Sequence, residues 1–473
     1  MSTRRPRGWV GLALLVSACT TVGPDYRGPP PSAVVHMPEA TGAFLGAVEP
    51  HYSAEPVPGE WWRLYEDPLL EGLVQQALKS NVDLRVAAAN LARSRALLAE
   101  VGAAKLPSTG VDASVGVGRV APLPSSVTYG LGFDISYQVD LFGRIRRGIE
   151  AARADTEAVQ AALDLTHITV AAETTRAYAS VCSVGNEVSV ARRVLALQEE
   201  SLSRTRRLVE AGRGTALDLS RARAQVEALR ANVPPLVAQR RIALLRLAVL
   251  SGRPPAAFPP DVEACETPPR LSSPIPVEDG AALLRRRPDV RQAERTLAAA
   301  TARIGVATAD LYPTVSFGLS AASGGLLESF GQESTLGWSL GPLLSWTFPN
   351  TRVARSRIAQ ADAAAQGALA QFDRVVLNAL LETESNLTQY TQDLERVTAL
   401  TAARDFSAQA AREADALYRG GREDFLTVLD AERTRANAEA SLASAQTRLV
   451  SDQIALFLSL GGGWEEAPPA GGP

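Results

Sequence analysis

His36, His51 and His167 are the only histidines in the chain, and Cys19, Cys182 and Cys265 the only cysteines. They are scattered, whereas zinc and its neighbours need such ligands clustered, so no metal site is expected. Nor does a nucleophile, base and orienting group stand out together, and the chain does not read as an enzyme. Two places remain where residue type and spacing could do something. Cys19 closes the stretch Leu15-Val16-Ser17-Ala18-Cys19, a thiol placed where an acyl chain could be attached. Leu426, Asp430 and Arg433 are spaced by four and three, which sets an apolar group, an acid and a base along one helix face. Taken alone, the Asp430/Arg433 pair is a solvated i,i+3 ion pair near a helix start and worth little.

The context of Cys19 sharpens its reading. Arg4, Arg5 and Arg7 precede an apolar run from Trp9 to Val16, too short to cross a bilayer as a mature helix but suited to the core of a secretory signal over residues 1–18. The segment resembles the lipobox of bacterial lipoproteins, in which the cysteine becomes the first residue and carries diacylglycerol. Thr20 follows where the sorting rule of such lipoproteins has aspartate for retention at the inner membrane, so the resemblance implies the outer membrane. Burial of acyl chains at ~0.8 kcal/mol per CH2 would make the anchor durable. No other cofactor is expected. A Cys182–Cys265 bridge is permitted in an oxidising compartment, but nothing demands it, and a cysteine within a helix is more often a small packed hydrophobe.

The elements that must position these residues are mostly helical. Hydrophobic residues make up 46% of the chain and aromatics only 5%, in a mixture rich in Ala, Leu, Arg, Gln and Glu. A formal net charge of -3, interspersed along helical stretches, offers no field for nucleic acid. No proline interrupts residues 143–233, and a continuous helix from Gly143 to Glu210 would reach about 100 Å. Past the turn at Gly212 and Gly214, Leu219, Ala222, Val226, Leu229, Val233, Leu236, Ala243, Leu247 and Leu250 follow heptad spacing. Pro234-Pro235 should kink or break this helix, since neither residue has an amide proton to donate.

Two stretches switch to period two. Val127, Tyr129, Leu131, Phe133, Ile135, Tyr137, Val139 and Leu141 alternate with Thr128, Gly130, Gly132, Asp134, Ser136, Gln138 and Asp140. Leu336, Trp338, Leu340, Leu344, Trp346 and Phe348 repeat the pattern, with Leu343 out of step. Shorter partners at 111–117 and 315–319 complete two hairpins, within 108–142 and 313–348. Apolar on one face and small or polar on the other, at a length near the ~9–11 residues that cross hydrocarbon, these strands suit a membrane barrel with a wet lumen. A soluble sandwich is the alternative. Four strands cannot close around a channel, so several chains would have to contribute.

The two stretches belong to a duplicated plan. Residues 81–116 and 287–322 share a helix, a proline (Pro107, Pro313) and an alternating stretch, with Asp83 and Asp289, Ser114 and Ser320, and Phe142 and Phe348 at matching offsets. Gly212-x4-Leu217-x-Leu219 answers Gly421-x4-Leu426-x-Val428. The expected organisation is a signal peptide (1–18), a lipidated N-terminal segment (19–66), a first repeat (67–252), a Pro-rich connector (253–276), a second repeat (277–463) and a C-terminal tail (464–473).

These marks together resemble the outer-membrane factor family, specifically the OprM/NodT lipoprotein branch of TolC-like efflux channels. The resemblance rests on Cys19 with Gly23-Pro24-Asp25-Tyr26, on Trp61-Trp62 with Asp67-Pro68, on Arg286-Arg287-Pro288-Asp289-Val290-Arg291-x-Ala293-Glu294, and on Ala302-Arg303-Ile304-Gly305 through Leu311-Tyr312-Pro313. It covers essentially the whole mature chain. It implies a mainly α fold with a membrane β-barrel part: a homotrimer whose twelve strands close a barrel in the outer membrane above a long antiparallel helical barrel in the periplasm. The implied partners are a periplasmic adaptor and an inner-membrane pump of the resistance-nodulation-division type. At the periplasmic tip, Leu426 would form an apolar constriction, Asp430 an acidic ring and Arg433 a restraining partner. Thr427 stands where TolC has a second aspartate, which bears on the strength of the acidic ring. Export of metal or secretion of protein by a type I system would use the same duct, and the residues do not choose among cargoes. A slender coiled-coil lipoprotein tethering membrane to cell wall would explain Cys19 and the heptads but not the amphipathic strands.

Overall fold

The structure, a computed structural model, describes residues 21–30, 33–47, 51–119, 124–349 and 351–462. Cys19, the signal region and the C-terminal tail from 464 lie outside the described residues. The principal elements are α1 (Pro68–Ser80), α2 (Val82–Ala103), β1 (Ser108–Gly118), β2 (Ser126–Val139), α3 (Arg144–Glu210), α4 (Ala216–Leu250), α5 (Gly280–Arg286), α6 (Pro288–Ala309), β3 (Thr314–Leu326), β4 (Leu336–Ser345), α7 (Arg352–Arg419) and α8 (Phe425–Ser459). The chain is mainly helical. The helices α3 and α7 have 67 and 68 residues, and α4 and α8 have 35 each. At 1.5 Å per residue the first two are about 100 Å long. Among the described residues no helix is long and apolar enough to cross a membrane. The chain divides into two compact units, each drawing segments from both sequence halves.

The unit formed by Met1–Ala33, Ala89–Ala161 and Arg291–Val375 contains one antiparallel four-stranded sheet in the order β1-β2-β3-β4. The two hairpins are joined by pairing of β2 with β3, from Val139 opposite Val315 to Thr128 opposite Leu326. This register continues the apolar face across the sheet. Val111 faces Phe133, Phe133 faces Ala321 and Ala321 faces Trp338; Ile135, Leu319 and Leu340 line up likewise. The other face carries Asp112, Gly132, Ala322 and Gly337 in one row and Ser136, Gly318 and Gly341 in another. On the apolar face Val111 is 78% and Trp338 76% exposed, a surface that water would penalise and hydrocarbon would not. The strands end at Val139 and Ser345, short of Phe142 and Phe348. There the backbone turns and aromatic contacts take over: Phe142 stacks on Tyr312 at 4.5 Å between centroids, and Trp346 on Phe348 at 4.9 Å.

The second unit, Val34–Ala88, Ala162–Val290 and Val376–Pro473, holds the large apolar core. Trp61, fully buried, lies flat on Phe457 with ring centroids 4.7 Å apart. Asp67 caps α1, its Oδ1 accepting from the amides of Leu69 and Leu70 while Tyr178 donates to Oδ2 at 2.5 Å, and Pro68 fills the first helical position. The heptad positions of α4 are all buried or half-buried. Of the expected kink or break, the break does not occur: α4 runs through Pro234-Pro235 as one helix. Both prolines are exposed, as are Arg230 and Ala231, whose carbonyls would have received the missing amides, so water can take their place. The connector is tied down. Cys265 is disulfide-bonded to the fully buried Cys182 of α3, Arg240 donates to the Cys265 carbonyl at 2.8 Å, and Ile275–Pro276 pairs in parallel with Tyr52–Ser53.

Candidate functional site

Each long helical hairpin turns on a glycine. Gly212 and Gly421 both have φ of 69°, the left-handed conformation that closes a helix end, and the amides of Arg213 and Arg422 reach back to the carbonyls of Leu208 and Leu417. Gly214 and Gly420 do not adopt it. The next helix is then capped from its own side chains. Thr215 and Asp218 form a reciprocal capping box on α4, and Asp424 accepts from the Thr427 amide at 2.8 Å on α8. Hydrogen bonds from the Thr427 amide and hydroxyl hold the Asp424 carboxyl below its ordinary range. Thr427 is therefore engaged in the cap.

This start fixes which way α8 faces. Phe425 and Val428 are buried, whereas Leu426 is 50% exposed. Asp430 and Arg433 lie on the outward side with Leu426, and the Arg433 guanidinium donates to Asp430 Oδ1 at 2.6 Å. Leu426 and Asp430, with Asp424, Thr427, Ala431 and Thr434, line one wall of a groove of about 650 Å³ whose other wall is Ser407, Ala410 and Ala414 of α7. The three residues to which the resemblance assigns a constriction thus share one face. What spacing alone did not reveal lies on the opposite side of α8. Burial pushes the Glu432 carboxyl up, against a hydrogen bond from Ser201 of α3. Arg204 of α3 bonds Glu200 at 2.5 Å and approaches Asp415 of α7 at 3.8 Å, and Asp415 also holds Arg419 at 2.5 Å. These charges tie one hairpin to the other; Arg204 and Asp415 are 211 positions apart, which no local pattern announces.

The anchor region is built as carefully. Residues 21–26 form a strap in which the Val22 amide donates to the Phe142 carbonyl at 3.1 Å. Arg147, almost wholly buried, donates to the carbonyls of Val22 and Gly23 and pairs with Asp25 at 2.6 Å. That guanidinium holds the Asp25 carboxyl below its ordinary range. A Cβ on Gly23 would stand 2.3 Å from the Gly305 Cα, so the two glycines of the Gly-Pro-Asp-Tyr and Ala-Arg-Ile-Gly motifs let two backbones touch. Tyr26 donates to Glu294 at 3.2 Å. Among these motifs the most specific, Arg287-Pro288-Asp289, is also structural: Arg287 donates to the Ser459 carbonyl at 2.7 Å and pairs with Asp289 at 2.8 Å and Glu382 at 2.9 Å.

Comparison with known proteins agrees with this geometry. The family described as outer membrane efflux protein matches residues 73–253 and 281–462. Nodulation protein T of Rhizobium leguminosarum bv. viciae is 28% identical over 98% of this chain and 94% of its own length. The antibiotic efflux pump outer membrane protein ArpC of Pseudomonas putida is 29% identical over 96% of this chain and 94% of its own. The solved outer-membrane channel OprN superposes with a TM-score of 0.86 at 37% identity, covering 94% of this chain and all of that one. With strands, hairpins and strap all in the arrangement described, the chain belongs to the outer membrane efflux protein family and is an efflux channel protein of the outer membrane.

Proposed function

We propose that three copies of this chain assemble into the exit duct of a tripartite efflux system, receiving cargo from an inner-membrane pump through a periplasmic adaptor and releasing it outside the cell. The observation that carries the assembly is the sheet with two open edges. In β1 and β4 each outer edge lacks a partner among the described residues, and no water is available inside hydrocarbon to satisfy unpaired amides and carbonyls. Pairing β1 of one copy with β4 of the next removes every edge, and three copies of four strands make a twelve-stranded barrel, wide enough for an aqueous lumen. The matched lengths of α3 with α7 and of α4 with α8 support the internal duplication and a helical barrel. Native mass spectrometry of the detergent-extracted protein should find three chains; a stable single chain with folded strands would overturn the assembly.

In that assembly the outward face of α8 becomes a ring at the periplasmic tip. Three Leu426 side chains exclude water, and three Asp430 carboxylates favour cations over anions, with Arg433 restraining them. The charged contacts between hairpins support a resting tip that docking of the adaptor shifts toward open. The efflux name of the ArpC relative favours small-molecule cargo, and a pump of the resistance-nodulation-division type is the partner that the family resemblance implies.

Lipidation of Cys19 is part of the same proposal. Thr21 packs on Gly143, beside the aromatic pair Phe142 and Tyr312 at the foot of the strands. The strap that begins at Thr21 would take up the pull of an acyl chain on Cys19. Intact-mass measurement should show a lipid-modified mature chain beginning at Cys19, and Cys19→Ser should lose the added mass while still folding; an unmodified cysteine in the wild type would remove the anchor from the proposal.

A further inference from the structure

Many carboxylates of the long helices meet an arginine at the surface. Asp393 of α7 and Asp452 of α8 meet each other. Asp393 is buried, at 4% exposure, and its carboxyl lies within hydrogen-bonding reach of that of Asp452. Asp452 Oδ2 is buried and no donor reaches it. Two ionised carboxylates side by side out of water repel strongly and leave oxygen lone pairs unsatisfied, whereas a single proton between them turns the same contact into a short, charge-assisted hydrogen bond. We propose that Asp393 and Asp452 share one proton in a carboxyl–carboxylate bond that pins α7 to α8, and that the pin is released when the surrounding medium turns alkaline.

The neighbours assign the proton. Burial, together with the Asp393 hydrogen bond and charge, pushes the Asp452 carboxyl up to about 7. Burial also pushes Asp393 upward, but hydrogen bonds from Asp452 and from Gln389, whose Nε2 donates at 2.8 Å, outweigh it with the help of Arg448 and Arg396, and hold it below its ordinary range. Arg396 on α7 stands 3.8 Å from Asp393, and Arg448 faces both carboxyls from α8. From α3, Glu187 reaches the same stretch of α8 but is engaged by the Thr447 hydroxyl. Asp393 is thus the acceptor and Asp452 the donor. Because Asp452 holds its proton more tightly in the folded than in the unfolded chain, its contribution to stability is complete below the ordinary aspartate range and is lost as pH rises through about 7. The depressed Asp393 works in the opposite sense, its contribution failing only in strong acid, so the singly protonated pair prevails between the two. Where these helices stand in the periplasm, as the proposed function has it, the pin would register the pH of that compartment.

The test reads stability and protonation and does not depend on channel activity. Thermal unfolding of the purified protein in detergent should show a Tm that falls by a few degrees between pH 6 and pH 8.5. In Asp452→Asn, where an amide donor permanently replaces the protonated carboxyl, that slope should flatten and the Tm at pH 8.5 should exceed the wild-type value. An unchanged slope in this variant would overturn the proposal. Infrared spectroscopy supplies a second check: a protonated-carboxyl band present in the wild type at pH 6, gone at pH 8.5 and missing from Asp452→Asn supports the shared proton, and its absence from the wild type at pH 6 refutes it.

Discussion

Alanine at Leu426 or Asp430 is expected to turn a small, cation-selective pore into a larger and less selective one in planar-bilayer recordings. The two substitutions should act differently. Leu426 is half exposed on α8, so in the proposed trimer three leucines would keep the neck dry by presenting only hydrocarbon; truncation to alanine would widen and wet the constriction and should raise the conductance several-fold. Asp430 contributes charge. Its bond to Arg433 is exposed, lies within one helix and is worth only roughly 0.2–1 kcal/mol, so the main effect of removing the three carboxylates of the proposed ring would be the loss of the attraction for cations. Asp430→Ala should accordingly lose cation preference, and Asp430→Asn should do so with less change in size. Recordings in which both variants match wild type in conductance and selectivity would dismiss these residues as the gate while leaving the barrel intact.

Arg287→Ala is expected to cost about 3 kcal/mol in stability, measured by the unfolding midpoint in detergent. The guanidinium is buried where α6 begins and serves three acceptors at once: the Ser459 carbonyl at the end of α8, Asp289 and Glu382. Removing one member of a buried ion pair strands its partners, which typically loses about 3–5 kcal/mol; the half-exposed Glu382 places this site at the lower end. Lysine should recover only part of the loss, since one ammonium cannot present the guanidinium's fork. Channels that still assemble should conduct normally, which separates this residue from Leu426 and Asp430. A loss below about 0.5 kcal/mol, the scale of a surface substitution, would show the clamp to be incidental.

The contrast between those two sites also shows what could be read from the chain alone. Period-two alternation located β2 and β4 because each apolar side chain there is large, and heptad spacing located the buried positions of α4 for the same reason. The far half of β3 escaped, since Ala321, Ser323 and Gly325 are too small to mark a face and are recognisable only opposite Phe133, Leu131 and Tyr129. The joining of the two hairpins, the Cys182–Cys265 bridge and the Asp393/Asp452 contact connect residues tens to hundreds of positions apart, and no local rule fixes such partners. Motifs that looked like signatures of function, Gly23-Pro24-Asp25-Tyr26 and Arg287-Pro288-Asp289, prove to be joinery: they hold a strap and a helix start. The line Leu426, Asp430 and Arg433 was legible as a helix face, but the groove wall supplied by α7 was not.

The open sheet edges bear on inheritance as well as on structure. In the proposed trimer a protomer that cannot complete its own barrel contributes to a shared one, and each barrel would then depend on both seams of every member. In a cell making sound and faulty copies in equal amounts, random assembly would leave roughly one barrel in eight free of the faulty chain. A lesion that spoils a seam or the tip while sparing folding is therefore dominant over the intact allele, whereas one that prevents folding altogether withdraws from the pool and is recessive.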